Sequence, residues 1–283
     1  MLLISFSPMI LQQMLLLPLK SAYTLTTTQQ MSNSLLQLRI FERATSNMII
    51  PIYQPLGSST HLLAQKVGKM YKTKATHTGT LDPMAEGLVI VLTDEDRFLK
   101  SILSDWQKKY EFQILWGVST DTHDLLGLIE DTFPTAQPNL QKIEDLQTHF
   151  IGEQLQETPT FSAKRSSEAQ YSNITIFDLK HSDTQLIPAH SILDQLNQVI
   201  PQLTHDFRQE AILKKWQRWF KTLPDRDRTS LLLTTHTATT SKRAYVRGLV
   251  RDLSKKMSIP ATTFHINRIA NGPHTAADCI CLV

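Results

Sequence analysis

The sequence predicts an α+β domain, and three observations support that class. Strand-like and helix-like segments alternate irregularly along the chain instead of repeating as strand–helix–strand units. Hydrophobic residues make up 41% of the 283 and charged residues 19%, which supplies a buried core. The formal net charge is only +3, which excludes a charge-extended disordered chain. Only nine glycines occur, and six of them fall between Gly57 and Gly127. Glycine serves φ > 0 and close backbone approach, so special backbone geometry is expected in that quarter.

Residues 1–48 carry four charges, Lys20, Arg39, Glu42 and Arg43, and read as a poorly structured extension. No Lys or Arg precedes Lys20, as a secretory signal would require, and Pro8, Gln12, Gln13 and Pro18 interrupt the apolar run. Met31 and Met48 are candidate alternative starts. The organised protein is expected to begin near Ile49 and to continue as one domain, 49–283. MIIPIYQPLGSST reads as a short strand and a Pro-Leu-Gly turn, with Ser58, Ser59 and Thr60 as candidate helix caps. Leu63, Val67 and Met70 then recur at helical spacing.

Further along, HTGTLDPMAEGLVIVL begins as a polar loop and ends in the continuous apolar run Leu88–Leu92, a buried strand. Lys109–Trp116 is a second strand, ended by Gly117, and the following Gly117–Gly127 stretch reads as its continuation. Leu140, Ile143, Leu146 and Phe150 mark an amphipathic helix, and Ile174–Leu179 a strand. Residues 189–227 read as a helical insertion interrupted by Pro201, and their second half is rich in basic and aromatic residues. Ser230–Thr235 is strand-like, and Val246, Leu249, Val250, Leu253 and Met257 form a helical stripe that Pro260 stops. Thr262–Ile269 is the final strand.

Cys279 and Cys281 lie one residue apart and form neither a disulfide framework nor a four-ligand zinc site. The histidines show no ligand-type spacing and no nucleotide-binding glycine motif occurs, so neither metal nor cofactor is expected. The pI of about 8.8 permits a nucleic-acid partner without requiring one.

The segment whose composition suits chemistry is His77-Thr78-Gly79-Thr80-Leu81-Asp82-Pro83. A carboxylate on a loop before a buried strand has a fixed backbone and an exposed side chain. Pro83 biases Asp82 toward extended geometry. An Asx turn, in which Asp82 only bonds nearby backbone, is the competing reading.

HTGTLDPMAEGLVIVL resembles the catalytic loop of bacterial TruB-type tRNA pseudouridine-55 synthases. Lys108-Lys109-Tyr110, Gly117–Gly127, PTFSAKR at Pro159–Arg165 and SKRAYVRGLVRDL at Ser241–Leu253 follow in that family's order. The resemblance covers roughly Ile49 to Ile269 apart from the 189–227 insertion, and HTGTLDP together with the later YVR makes it specific. It implies a pseudouridine-synthase fold, a central mixed, mostly antiparallel sheet flanked by helices. The implied reaction converts the N-glycosidic bond of the T-loop uridine to a C-glycosidic one. The implied partner is the T arm of tRNA, with no membrane, metal or cofactor, for a cytoplasmic monomer. The chain ends soon after the last core strand, so the resemblance is to a short form without the C-terminal RNA-binding (PUA) domain of many members.

In that reading Asp82 is the nucleophile, which acts ionised and so needs a cation; Arg247 is implied as its partner. Tyr110 stacks on the flipped uracil or relays a proton, and Tyr245 lies near the base on the same side of an extended segment as Arg247. Ile266 lines the base pocket, and His77 and Thr78 help admit the nucleotide. Lys66, Lys69, Lys72 and Lys74 face RNA phosphate. Gln54, Thr76 and Arg243 stand where the family has Lys, Gly and Gly; Arg243 adds a phosphate contact or strains a bend. The basic-aromatic stretch 208–222, with Lys214, Lys215, Arg218 and Lys221, is a candidate replacement for the missing RNA-binding surface. Two other functions compete: a non-catalytic RNA-binding or RNA-folding protein on the same scaffold, and a sugar hydrolase. The hydrolase would pair Asp82 with a second carboxylate among Glu86, Asp121 and Asp124.

Overall fold

A computed structural model describes residues 48–159, 161, 170–204, 206–225 and 229–280. The expectations for residues 1–47, for Cys281 and for most of PTFSAKR lie outside the described residues.

Strand β1 (Ile49–Gln54) leads to helix α1 (Thr60–Met70), then β2 (Ala75–His77) and β3 (Ala85–Thr93). A helical crossing follows, ending in α2 (Lys100–Leu103), then β4 (Lys108–Trp116), β5 (Val118–Thr120) and β6 (Ile129–Thr132). Next come α3 (Leu140–His149), β7 (Gly152–Glu157) and β8 (Tyr171–Pro188). Helices α4 (His190–Val199) and α5 (Gln209–Thr222) separate β8 from β9 (Ser230–Thr240). The chain closes with α6 (Val246–Met257), β10 (Ala261–Asn271) and β11 (His274–Thr275).

The main sheet runs β1-β3-β10-β4-β9-β8-β7, with β2 on β3 and β11 on β10. Among the described residues its strand pairs are antiparallel except β3 with β10, and two isolated bridges, Ile52 with Ile280 and Asp124 with Thr263, are also parallel. The predicted class, a mixed and mostly antiparallel sheet flanked by helices, is therefore the observed one.

One corrected expectation concerns Gly117–Gly127. Gly117, at φ +96, ends β4, and β5 and β6 form a separate two-stranded sheet instead of continuing it. Sequence reasoning also missed β2, β6, β7 and β11, and β8 extends well past Ile174–Leu179. Those strands have polar or mixed faces that leave no apolar alternation to read.

Alternation along β3 explains its continuous apolar run. Val89 and Val91 enter the core shared with α1, α3 and α6, while Leu88, Ile90 and Leu92 pack with Leu103 on the other face. Helices α4 and α5 cover that second face further along, with Ile192, Leu196, Ile212, Trp216 and Trp219 buried. The two tryptophans therefore serve the core, and α5 exposes Lys214, Lys215, Arg218 and Lys221 together with Glu210, Ala211, Gln217 and Thr222.

A buried polar network ties α3 to the sheet. Gln147 Nε2 lies 2.6 Å from His236 Nδ1; an amide nitrogen only donates, so Nδ1 accepts. Gln147 Oε1 accepts the His181 backbone N–H at 3.0 Å, and the His236 ring stacks on Phe112. Burial, with a smaller push from His181, lowers the His236 pKa from 6.5 to about 3. Between those values the unfolded chain binds a proton that the folded one refuses, so stability falls as pH falls. Urea unfolding should show wild type losing stability on acidification from about pH 6.5, and His236→Gln losing less over the same interval. Equal slopes would refute this assignment.

Candidate active site

The loop between β2 and β3 is fixed at three points before any side chain on it acts. Thr60 Oγ1 accepts Leu81 N–H at 2.9 Å and donates to Gln54 Oε1 at 2.6 Å. Pro83 O accepts Gly57 N–H at 2.9 Å. Arg268, buried on β10, donates to Gly79 O at 3.2 Å and to Leu88 O at 2.6 Å. Gln54, which departs from the Lys of the resembled motif, thus fills a buried neutral position bonded on both sides. Of the candidate caps, Ser59 takes the cap position of α1 without a side-chain bond, and Thr60 turns its hydroxyl to the loop instead.

Gly87, one of the six clustered glycines, lies inside β3. Its φ is +110, and a β-carbon there would stand 2.5 Å from Arg268 O. Glycine is therefore required where β3 and β10 run side by side in parallel.

Asp82 meets Arg247 in a two-pronged pair: Nε to Oδ2 at 2.8 Å and Nη2 to Oδ1 at 3.0 Å. Arg247 also donates to Thr122 O at 2.8 Å and Phe161 O at 3.3 Å. Its side chain is 2% exposed, Asp82's 24%. Burial works to lower the Arg247 pKa, but Asp82 and Asp124 outweigh it and the net direction is up. Arg247 belongs to helix α6, so the expectation that it shares an extended segment with Tyr245 is corrected: Tyr245 is the residue before the helix. Gln156 holds the Tyr245 backbone by both ends, donating to its C=O at 3.0 Å and accepting its N–H at 2.8 Å.

Sequence reasoning considered Asp124 only as a partner for Asp82 and found nothing to pair them. The structure places it against the same cation, 3.6 Å from the Arg247 Nε that also bonds Asp82. Asp124 Oδ1 accepts Thr122 Oγ1 at 2.7 Å and Leu126 N–H at 2.9 Å. Burial raises its pKa, with Arg247 opposing. The signal that could have found it is TDTHD itself, whose threonines bond the Asp124 side chain and backbone.

Tyr110, Ile266, Leu81 and Val246 belong to one buried apolar cluster beside the pair. Tyr110 sits opposite Arg268, and Ile266 opposite both Ala85 and Phe112. His77 ends β2; burial, then Lys100, His61 and Arg268, lower its pKa to about 4. His77 Nδ1 and Thr78 Oγ1 have no hydrogen-bond partner among the described residues. Thr76 sits in an ordinary β pairing opposite Leu92, so no glycine geometry is lost there. Arg243 does occupy a left-handed bend, φ +66, with its side chain exposed.

Lys66, Lys69, Lys72 and Lys74 are all exposed. Lys69, Lys72 and Lys74 line an open depression of about 660 Å³ at the end of α1, together with Asp94. These residues and those of α5 are not brought into the Asp82–Arg247 cluster.

The family model described as "TruB family pseudouridylate synthase (N terminal domain)" matches residues 66–175, from α1 through Asp82, Tyr110 and Asp124 into β8. A tRNA pseudouridine synthase B of Caldanaerobacter subterraneus subsp. tengcongensis is 28% identical over 213 residues, covering 75% of this chain and 64% of that protein. The chain is thus similar to TruB-family pseudouridine synthases over these residues. Proteins of the same description from Aquifex aeolicus and Flavobacterium johnsoniae are 36% and 38% identical over 115 and 113 residues. Those matches cover 40% and 39% of this chain, and 40% and 48% of the relatives. Among solved structures, a Cbf5-Nop10-Gar1 complex shares the fold with a TM-score of 0.54 at 15% identity. It aligns with 84% of this chain, which spans 52% of that one.

If Arg247 neutralises a buried Asp124, removing the cation should make Asp124 hold its proton. A carboxyl that binds its proton more tightly folded than unfolded favours the folded state at low pH. Arg247→Met should therefore cost about 3–5 kcal/mol near neutral pH and less toward pH 4, relative to wild type. Adding Asp124→Asn should restore most of the neutral-pH loss. Urea titrations at both pH values check this, and a pH-independent loss would contradict it.

Proposed function

We propose that this chain is a cytoplasmic tRNA pseudouridine synthase acting on the T-loop uridine, position 55. The observation that carries the reading is the forked Asp82–Arg247 pair beside an apolar wall with one tyrosine. A carboxylate nucleophile splits the isomerisation into two steps through a covalent intermediate. Arg247 holds both oxygens of Asp82 in one orientation, so attack begins from a fixed geometry. Tyr110 is proposed as the stacking surface for the flipped uracil and as its proton relay, with Ile266 and Tyr245 completing the pocket. His77 and Thr78, at the start of the loop that carries Asp82, are proposed to help admit the extruded nucleotide. Extrusion costs a few kcal/mol, which stacking and hydrogen bonds in the pocket offset.

The RNA backbone is assigned to Lys66, Lys69, Lys72, Lys74 and Arg243, all exposed, and to the basic side of α5. Recognition is then of a folded loop by shape and phosphate, not of a duplex sequence.

The test is incubation with an unmodified tRNA transcript, followed by chemical mapping of pseudouridine. Wild type should modify the T-loop uridine, and Asp82→Asn should form no product. Absence of product from wild type, as a non-catalytic RNA binder would give, rejects the activity; full product from Asp82→Asn rejects the nucleophile. Separately, log Kd for the transcript should rise with log salt, and replacing Lys69, Lys72 and Lys74 by Ser should lower that slope by about 0.7–0.9 for each phosphate no longer neutralised. The same measurement on Lys214, Lys215, Arg218 and Lys221 replaced by Ser tests the α5 surface, and an unchanged slope removes it from the interface.

A further inference from the structure

We infer that Arg208, from the segment between β8 and β9, is a positioning residue for the Arg247–Asp82 pair. The inference rests on the proposed synthase reading for its chemistry. Arg247 donates to two backbone carbonyls that belong to different loops, Thr122 O and Phe161 O. Arg208 engages both loops at once. Its guanidinium forks onto Asp121, the residue before Thr122, with Nη1 to Oδ2 at 2.8 Å and Nη2 to Oδ1 at 3.3 Å. The same guanidinium lies over the Phe161 ring, 4.4 Å from its centroid. Asp121 Oδ1 also accepts Leu128 N–H at 2.8 Å, so it is fixed from a second side.

The segment that delivers Arg208 is anchored to the same loop. Trp216 Nε1, two turns into α5, donates to Gly127 O at 3.2 Å. Arg208 stands in the left-handed region, φ +63, and its N–H donates to Asp206 Oδ1 at 2.9 Å. That bend lets one residue end the incoming loop and start α5 while pointing at Asp121.

A planar guanidinium can fork onto a carboxylate and stack on a ring together; an ammonium cannot. The Arg208 side chain is 35% exposed and Asp121's 20%, and a pair this open contributes little to stability. Its effect should then lie in where the two carbonyls sit, and so in the orientation of Arg247.

Arg208→Ala and Arg208→Lys are to be compared with wild type in single-turnover pseudouridine formation on the tRNA transcript, with Kd and thermal unfolding measured alongside. The rate constant should fall roughly tenfold in both variants, while Kd and the unfolding temperature barely move. A loss confined to Kd would make Arg208 an RNA contact and overturn the inference, as would an unchanged rate or full rescue by Lys. The Nε–H resonance of Arg247 in a nitrogen-15 NMR spectrum, assigned through Arg247→Lys, reads the pair without turnover. It should shift or broaden in Arg208→Ala, and an unmoved resonance overturns the inference. Wild type that forms no pseudouridine would dismiss the synthase reading alone, since the resonance still decides the positioning.

Discussion

One buried guanidinium holds the site together. Arg247 is almost wholly removed from water, and an ion so placed loses several kcal/mol of hydration. The loss is offset because its donors are placed: two bonds to Asp82, one to Thr122 O and one to Phe161 O, with Asp124 adding negative charge at 3.6 Å. Those acceptors come from the β2–β3 loop, the loop after β5 and the segment after β7. Three stretches far apart in sequence therefore share one cation. None of them can move without leaving a buried donor unpaired, which costs about 1–3 kcal/mol.

The sheet brings those stretches together through β10. Near its start, Thr263 N–H donates to His123 O, docking the loop that carries Asp124. Five residues on, Arg268 holds Gly79 and Leu88, docking the loop that carries Asp82. Between them Ile266 faces Ala85 on the parallel side and Phe112 on the antiparallel side. One strand thus sets the spacing of both carboxylates relative to α6, which packs on it. The parallel pairing of β3 with β10 sets the first residue of β3, Ala85, opposite Ile266, directly after the loop that carries Asp82.

Much of this was legible in the sequence, for physical reasons that differ by element. The stripe of Val246, Leu249, Val250, Leu253 and Met257 names a helix because one face of it is core. The run from Leu88 to Leu92 names a buried strand because both of its faces are covered. The edge strand β7 exposes Leu155 and has no such pattern. Asp82 and Arg247 emerge from motif resemblance, not from periodicity. Asp124, Arg268 and Arg208 were not legible as site residues, because each acts through a contact more than 80 residues away in sequence. Charge alone also misled: the aromatics beside the α5 lysines belong to the core.

Two carboxylates flank Arg247, and their environments separate their roles. Asp124 is 6% exposed and its Oδ1 is taken by Thr122 and Leu126. Burial favours its neutral form, and nothing outside the protein can approach it. Asp82 is 24% exposed, bonded through both oxygens by the guanidinium alone among its side-chain partners, and carried on a loop whose backbone is pinned. A nucleophile needs a reachable lone pair and a fixed direction of approach. Asp82 has both, whereas Asp124 has only the second. The asymmetry also places Arg247 correctly for the proposed chemistry. A cation this buried orients Asp82 without being exposed itself, and the proposed division of labour makes the sealed Asp124 its counter-ion and the more exposed Asp82 the reactant.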